Sequence, residues 1–402
     1  MKYIIVLADG MADYPIPELN NRTPLMYAST PNMDHMAFSA ELGLVKTVPE
    51  GFPPGSDVAN LSVMGYDPRE YYTGRSPLEA LSMGIDLKPE DVAFRCNLVT
   101  LDDNPDYAKK VMMDYSSDEI TTGESGLLIG EVSSRLSSPE LRFYPGISYR
   151  HLMVWTGGSS NIDLTPPHDI SDRVIGKYLP RGEGSQTLLK LMEASNTFLK
   201  DHPVNQDRIR KNLRPATSLW FWGQGRKPAI TSFENKYGLK GSVISAVDLT
   251  RGLGIAAGLK PVIVPGATGN ISTNFYGKAT AALEELKQGQ DFVYIHIEAP
   301  DEAGHRGELD TKIKAIEEID EKVVGVLLQG LHFCENYRIM ILPDHPTPLS
   351  TRTHASDEVP FLIYEKGSSR TDGPETFSEE TARCSGQIIQ QGFRLMDHFL
   401  RK

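Results

Sequence analysis

Short apolar runs alternate along the chain with longer segments in which apolar residues recur every three or four positions. The runs "YIIVLAD" (3–9), "SLWFW" (218–222), "SVISAV" (242–247), "PVIVP" (261–265), "DFVYIHI" (291–297), "RIMILPD" (338–344) and "PFLIYEK" (360–366) predict strands. Most are apolar throughout rather than at every second position, which is the pattern of parallel strands covered on both faces. Segments 183–200, 273–289 and 311–331 predict amphipathic helices. The stretch 378–402 predicts a further helix, opened by Ser378 and the acidic residues after it. Alternating β and α points to an open, mainly parallel α/β sheet with helices on both faces.

Residues 88–180 break this pattern. "AFRCNLVTL", "LRFYPG" and "YRHLMVWTGG" predict a more twisted or antiparallel set with one helix near 125–136, and "TPPHDI" and "YLPRGEG" punctuate its exit. The expected organisation is a core of residues 1–87 and 181–402, interrupted by a smaller inserted α+β domain over 88–180. There is no internal repeat.

Composition narrows the partners. A chain of 402 residues is long enough for two or three domains, or for one large α/β domain carrying an insertion. Its net charge of −12, from 41 basic and 53 acidic residues, argues against nucleic acid or an anionic membrane as partner, since both reward clustered Lys and Arg. A local anion site remains compatible with that balance. The opening apolar run is too short for a signal peptide, and none approaches the roughly 20 residues of a bilayer span. Cys96, Cys334 and Cys384 are odd in number and far apart, as expected of reduced thiols in a cytoplasm. No C-x-x-C pair occurs, so any metal must be held by oxygen and nitrogen.

Ligands of open α/β sheets bind beyond the carboxyl ends of the strands. Three predicted strand ends carry metal-binding chemistry. The first ends at Asp9, "DFVYIHIEAPDEAGH" runs out into Asp301 and His305, and "RIMILPDH" ends at Asp344 and His345, with His354 beyond. Each has a structural alternative as a turn former, cap or satisfied histidine. Gathered at one sheet edge, six such groups exceed a single tetrahedral site with an open position and suit two metal ions clamping a phosphoryl group. A nucleophile is then needed, and the loop "VPEGFPPGSDVANLSVMGYDP" (48–68) offers Ser56 at the start of a predicted helix. Its alternative is a plain helix cap.

Other chemistries lack their motifs. G-x-x-x-x-G-K-[ST] and G-x-S-x-G do not occur, and "GLGIAAG" (252–258) has the wrong spacing for a dinucleotide loop.

The stretches "ADGMADYP", "PPGSDVANLSVMGYDP", "YTGRSPLEALSMGIDL", "SAVDLTRGLGIAAGL", "VPGATGNISTNFYGKATAAL", "IHIEAPDEAGHRG" and "PDHPTP" together resemble the short, archaeal-type cofactor-independent phosphoglycerate mutases, a group of the alkaline phosphatase superfamily. The likeness covers all but roughly the last 40 residues. "APDEAGH" and "PDHPTP" are shared across the superfamily, and the others are particular to the short form. Ser76 stands where relatives are expected to carry glycine.

The resemblance implies an alkaline-phosphatase-like core with a cap domain. It implies one metal held by Asp301, His305 and His354, and a second held by Asp9, Asp344, His345 and the Ser56 oxygen. It further implies interconversion of 3-phosphoglycerate and 2-phosphoglycerate through phosphoserine at Ser56, without 2,3-bisphosphoglycerate, the cap keeping water out. Mn²⁺ is the expected ion, with Zn²⁺ or Co²⁺ as alternatives. A substrate bearing phosphate and carboxylate needs cations. Arg75, Arg95, Arg150 and Arg251 are candidates, with His168 as a positioning group. The rival is another metal-dependent phosphotransferase or phosphohydrolase on the same scaffold, such as a homoserine-kinase-like enzyme.

Overall fold

The computed structural model describes residues 1–401. Along the chain come β1 (Lys2–Ala8) and β2 (Glu41–Val45). There follow β3 (Asp91–Leu101), β4 (Met112–Asp114), β5 (Leu141–Tyr144), β6 (Arg150–Thr156), β7 (Ile162–Asp163), β8 (Arg181–Gly182) and β9 (Ser218–Arg226). Last are β10 (Gly241–Ile244), β11 (Lys260–Val262), β12 (Phe292–Ile297), β13 (Tyr337–Leu342), β14 (Val359–Glu365) and β15 (Ile388–Ile389). The chain divides into two compact units, Met1–Tyr72 with Ala229–Lys402, and Thr73–Pro228.

The first unit is built on an eight-stranded sheet in the order β11-β10-β12-β1-β13-β14-β2-β15. The mainly parallel sheet expected from the apolar runs is present: β11, β10, β12, β1 and β13 run parallel, while β14 is antiparallel to both neighbours. Helices cover both faces. Ile4, Val6 and Ala8 of β1, with Val293, Ile295 and Ile297 of β12, pack into a core shared with helices Pro31–Ala37, Phe275–Lys287 and Leu309–Ile319. On the other face, Tyr3 meets Phe399 of helix Leu395–Leu400 with ring centroids 5.6 Å apart.

Register positions the chemistry. Ala8 lies opposite Ile297, and Leu7 opposite Leu342, so β1, β12 and β13 end level with one another. The residues just beyond these ends must therefore converge. Gly10 makes the turn after β1 at φ 63°, in the left-handed region that L side chains avoid. A Cβ there would lie 2.7 Å from the Asp301 Cα, so glycine also permits the close approach of two strand ends.

The second unit is wider than the expected insertion of 88–180. Its antiparallel sheet runs β4-β3-β6-β5, with β9 also paired along β3, so "SLWFW" belongs to this sheet and not to the parallel one. Helix Ser185–Phe198 is likewise part of this unit, its Ser195 hydroxyl accepting from the Leu219 N–H of β9. Apolar content alone does not say which sheet a run joins; antiparallel pairing with Val92–Val99 of β3 does. Ser76, buried at the start of helix Ser76–Ser82, donates to the Gly223 carbonyl (2.6 Å) and so ties this helix to β9.

The expected helix over 378–402 is also interrupted. Ser378 does cap a helix, accepting from the Thr381 N–H, but that helix ends at Cys384. Gly386 then turns left-handed at φ 72°, β15 pairs with β2, and Leu395–Leu400 forms a separate helix.

Replacement of Gly10 tests the convergence. Gly10→Ala should destabilise by about 1–3 kcal/mol from backbone strain and backbone contact together, read as a lower urea midpoint. An unchanged midpoint would mean that the β1 end has slack.

Candidate active site

Asp9 follows β1 and is 1% exposed; Asp344 and His345 follow β13 and are fully buried. The Gly10 N–H donates to Asp344 Oδ1 (3.2 Å) and the His345 N–H to the same oxygen (3.0 Å), which locks the two strand ends together. Beyond β12 the chain enters helix Ala299–Arg306 with Asp301 in its first turn. His305, four residues on, falls on the same helix face, its Nε2 3.3 Å from Asp301 Oδ2. The loop after Asp344 brings His354 back, its Nε2 3.4 Å from Asp301 Oδ1, and the Thr347 hydroxyl donates to that same oxygen.

Two donor sets result, Asp301–His345–His354 and Asp9–Asp344–His345, each with its ligand atoms within 4.8 Å of one another. His345 belongs to both, whereas the resemblance assigned it to the second alone. Its Nε2 lies 3.7 Å from Asp9 Oδ1 and 3.5 Å from Asp344 Oδ2, and its ring is 4.0 Å from that of His354. His305 joins the first set through His354, the two Nε2 atoms being 2.9 Å apart.

The electrostatics call for a cation. Burial, and then the charges of Asp344 and Asp301, push the Asp9 carboxyl well above the usual carboxylate range. Its Oδ1 is buried with no hydrogen-bond partner among the described residues. Burial also pushes the Asp301 carboxyl up, but the hydrogen bonds from His305 and His354 outweigh it and hold it well below that range. The Asp301 hydrogen bond raises His305 to about 9, and burial lowers His345. An orphaned carboxylate oxygen among buried carboxylates and imidazoles is the donor chemistry of a divalent metal, so the residues fit such an ion.

Ser56 is not the cap of its helix. Gly55 occupies that position, and Ser56 is the first residue of Ser56–Val63 with no side-chain capping bond at the terminus. Its Oγ lies 3.1 Å from His345 Nε2, at the edge of the second donor set.

Known proteins share both sequence and architecture with this chain. A profile of the family described as 2,3-bisphosphoglycerate-independent phosphoglycerate mutase matches residues 37–205. A Geobacter sulfurreducens relative described as "Probable 2,3-bisphosphoglycerate-independent phosphoglycerate mutase" is 52% identical over 400 residues, covering 100% of both chains. The chain belongs to this mutase family. A Methanosarcina acetivorans relative described as "2,3-bisphosphoglycerate-independent phosphoglycerate mutase" is 50% identical over 385 residues, covering 95% of each chain. The solved structure of a cofactor-independent phosphoglycerate mutase from Thermoplasma acidophilum matches with a TM-score of 0.67 at 27% identity, over 100% of this chain and 99% of that one.

Four of the five candidate anion-binding residues gather in the second unit. Buried Glu79 accepts from Arg75 Nε (3.0 Å) and Arg95 Nε (2.8 Å). One carboxylate thus orients two guanidiniums. The Arg95 guanidinium lies 4.9 Å over the Trp222 ring, whose other neighbour is the His168 ring at 5.2 Å. Tyr115 links His168 to Tyr149, over which the Arg150 guanidinium sits at 5.5 Å. Burial, with Arg95 and Arg75 nearby, holds the His168 pKa down despite Asp169. Arg251 stands apart, on helix Asp248–Ala256 of the first unit, paired with Asp248.

Three fully buried residues absent from the sequence expectations support the donors: His296 bonds Asp9, Asn60 donates to Asp344, and Tyr294 donates to Asn60. A tyrosine and a histidine two apart inside an otherwise apolar strand were the available signal.

Metal addition should separate wild type from Asp9→Asn in a thermal melt. Ionised Asp9 has a raised pKa in the fold, so its cost to the metal-free protein grows as pH rises through that pKa. At neutral pH the metal-free variant should melt higher than metal-free wild type. Mn²⁺ at 100 times its Kd should stabilise wild type by about 2.7 kcal/mol and the variant far less. Equal metal responses would contradict a ligand role for Asp9.

Proposed function

We propose that the chain interconverts 3-phosphoglycerate and 2-phosphoglycerate without 2,3-bisphosphoglycerate, with Ser56 carrying the phosphoryl group between the two positions. The reading rests on the place of the Ser56 hydroxyl, free of any capping role and 3.1 Å from His345 Nε2. Asp301, His305 and His354 are the proposed holders of one divalent ion, and Asp9, Asp344, His345 and Ser56 Oγ of the other. Mn²⁺ is the proposed ion. Such ions, when bound, neutralise phosphoryl oxygens and lower the pKa of a neighbouring hydroxyl.

Ser56 Oγ attacks the substrate phosphorus, forming the Oγ–P bond as the bond from phosphorus to the glycerate C3 oxygen breaks. The serine proton ends on that oxygen, and glycerate is left with two free hydroxyls. The glycerate turns, its C2 oxygen attacks the phosphoserine, and the proton of that hydroxyl returns to Ser56 Oγ. Holding the glycerate while it turns is the work proposed for the arginine set of the second unit, with Arg75 and Arg95 as the principal cations and Arg150 and His168 at its margin. The pairing of Arg251 with Asp248 gives it a weaker claim. The substrate is thus a small phosphorylated acid. No helix among the described residues is long and apolar enough to cross a membrane. The reading places the reaction in a reducing cytoplasm, with Cys96, Cys334 and Cys384 as free thiols.

A coupled assay with purified protein, Mn²⁺ and 3-phosphoglycerate, omitting 2,3-bisphosphoglycerate, should yield 2-phosphoglycerate. Ser56→Ala should cut kcat by roughly three to six orders of magnitude, while acid-quenched wild type shows phosphoserine at Ser56 by mass spectrometry. Near-normal turnover by the variant, or release of inorganic phosphate as the main product of wild type, would end the proposal.

A further inference from the structure

Strand β12 contributes none of the seven proposed ligand residues, yet its two polar side chains both serve the Asp9–Asp344–His345 set, His296 by contact with Asp9 and Tyr294 through Asn60. Alternation along the strand sends Val293, Ile295 and Ile297 into the apolar core and Tyr294 and His296 to the opposite face. Both are fully buried in a strand where apolar residues would pack at lower desolvation cost.

We propose that Tyr294 and His296 are positioning residues, His296 orienting Asp9 and Tyr294 orienting Asn60, which in turn holds Asp344 and the first turn of the Ser56 helix. The proposal rests on the reading of the site as a two-metal centre.

The directions of the hydrogen bonds follow from what each atom can do. His296 Nε2 lies 2.9 Å from Asp9 Oδ2, and a carboxylate ligand only accepts, so the ring proton sits on Nε2. Nδ1 is then an acceptor, and the Ser245 hydroxyl 3.1 Å away donates to it. Ser245 Oγ in turn accepts from the Val247 N–H (3.0 Å). This chain engages Oδ2 of Asp9 and leaves Oδ1 as the oxygen aimed at the site.

The second chain is equally directional. Asn60 Nδ2 is 2.8 Å from Asp344 Oδ2 and 2.8 Å from the Ser56 carbonyl, two acceptors, so the amide nitrogen must face them. Its Oδ1 accepts from the Tyr294 hydroxyl (2.7 Å). A flipped amide would turn its oxygen onto both Asp344 and the Ser56 carbonyl, so these two acceptors fix the amide and the Tyr294 bond holds its other end. One side chain therefore ties a ligand carboxylate to the turn that presents the nucleophile. Loss of such outer hydrogen bonds typically costs about 10–100-fold in metal affinity or activity.

Calorimetric titration of the metal-free chain with Mn²⁺, alongside steady-state kinetics, tests this. His296→Leu should weaken one of two binding events by about 10–100-fold, and His296→Gln, whose amide reaches the Nε2 position, should recover most of the loss. Tyr294→Phe, which removes a single oxygen, should lower kcat with KM unchanged. A purely structural role predicts a lower melting temperature with metal affinity and kcat intact and no rescue by glutamine. If His296→Leu does not fold, Ser245→Ala must weaken the same binding event in the same direction. Wild-type affinity in a folded His296→Leu or Ser245→Ala protein, or wild-type kcat in Tyr294→Phe, overturns the proposal while leaving the two-metal reading intact. Failure of the wild-type chain to bind any divalent ion overturns both.

Discussion

Asp9, Asp301 and Asp344 lie buried just beyond the ends of three strands, near enough for the charges of Asp344 and Asp301 to act on Asp9, and that repulsion is the constraint from which the rest of the site follows. Like charges in a poorly polarisable interior repel far more strongly than in water, and a buried carboxylate without a counter-charge is costly. Lys312, fully buried, is spent elsewhere: it pairs with Asp13 at 2.7 Å and donates to the Thr347 carbonyl. Imidazoles from three segments surround the carboxylates, but burial disfavours the protonated form of His345. The cluster is arranged for an external cation, and Asp9 Oδ1, buried with no hydrogen-bond partner among the described residues, is the oxygen suited to hold it.

That demand explains features of the fold that would otherwise be incidental. The level ends of β1, β12 and β13 set the spacing of the carboxylates, and the left-handed Gly10 allows the approach. The fold thus accepts local strain and buried polarity at one place, and the thick apolar core beneath β1 and β12 offsets it. The second unit solves the opposite problem. There, two arginines share one buried glutamate, and aromatic rings hold the planar cation of Arg95 and the ring of His168 in place.

Much of this was legible in the sequence because it is local. An apolar run ending in Asp, or in Asp-His, shows both the strand and the ligand at its end. Pairing partners are not local. "SLWFW" has the composition of a core strand and joins the other sheet, and "PFLIYEK" runs antiparallel in an otherwise parallel neighbourhood. The helix expected over 378–402 failed at Gly386, where a left-handed turn redirects the chain toward β2. That His345 faces both donor sets is likewise a matter of three-dimensional proximity and not of local sequence. Tyr294 and His296 stand out in an otherwise apolar strand, whereas Asn60, inside a helix, declares itself only when its partners, distant in sequence, are known.

Anomalous diffraction from crystals grown with Mn²⁺ bears most directly on the central claim that these strand ends form a two-metal centre. The account predicts two manganese peaks about 3.5–4 Å apart, one beside Asp301, His305 and His354 and the other beside Asp9, Asp344 and His345, with Ser56 Oγ at the second. A single peak, or two peaks that leave Asp9 and Ser56 without a metal contact, would contradict it.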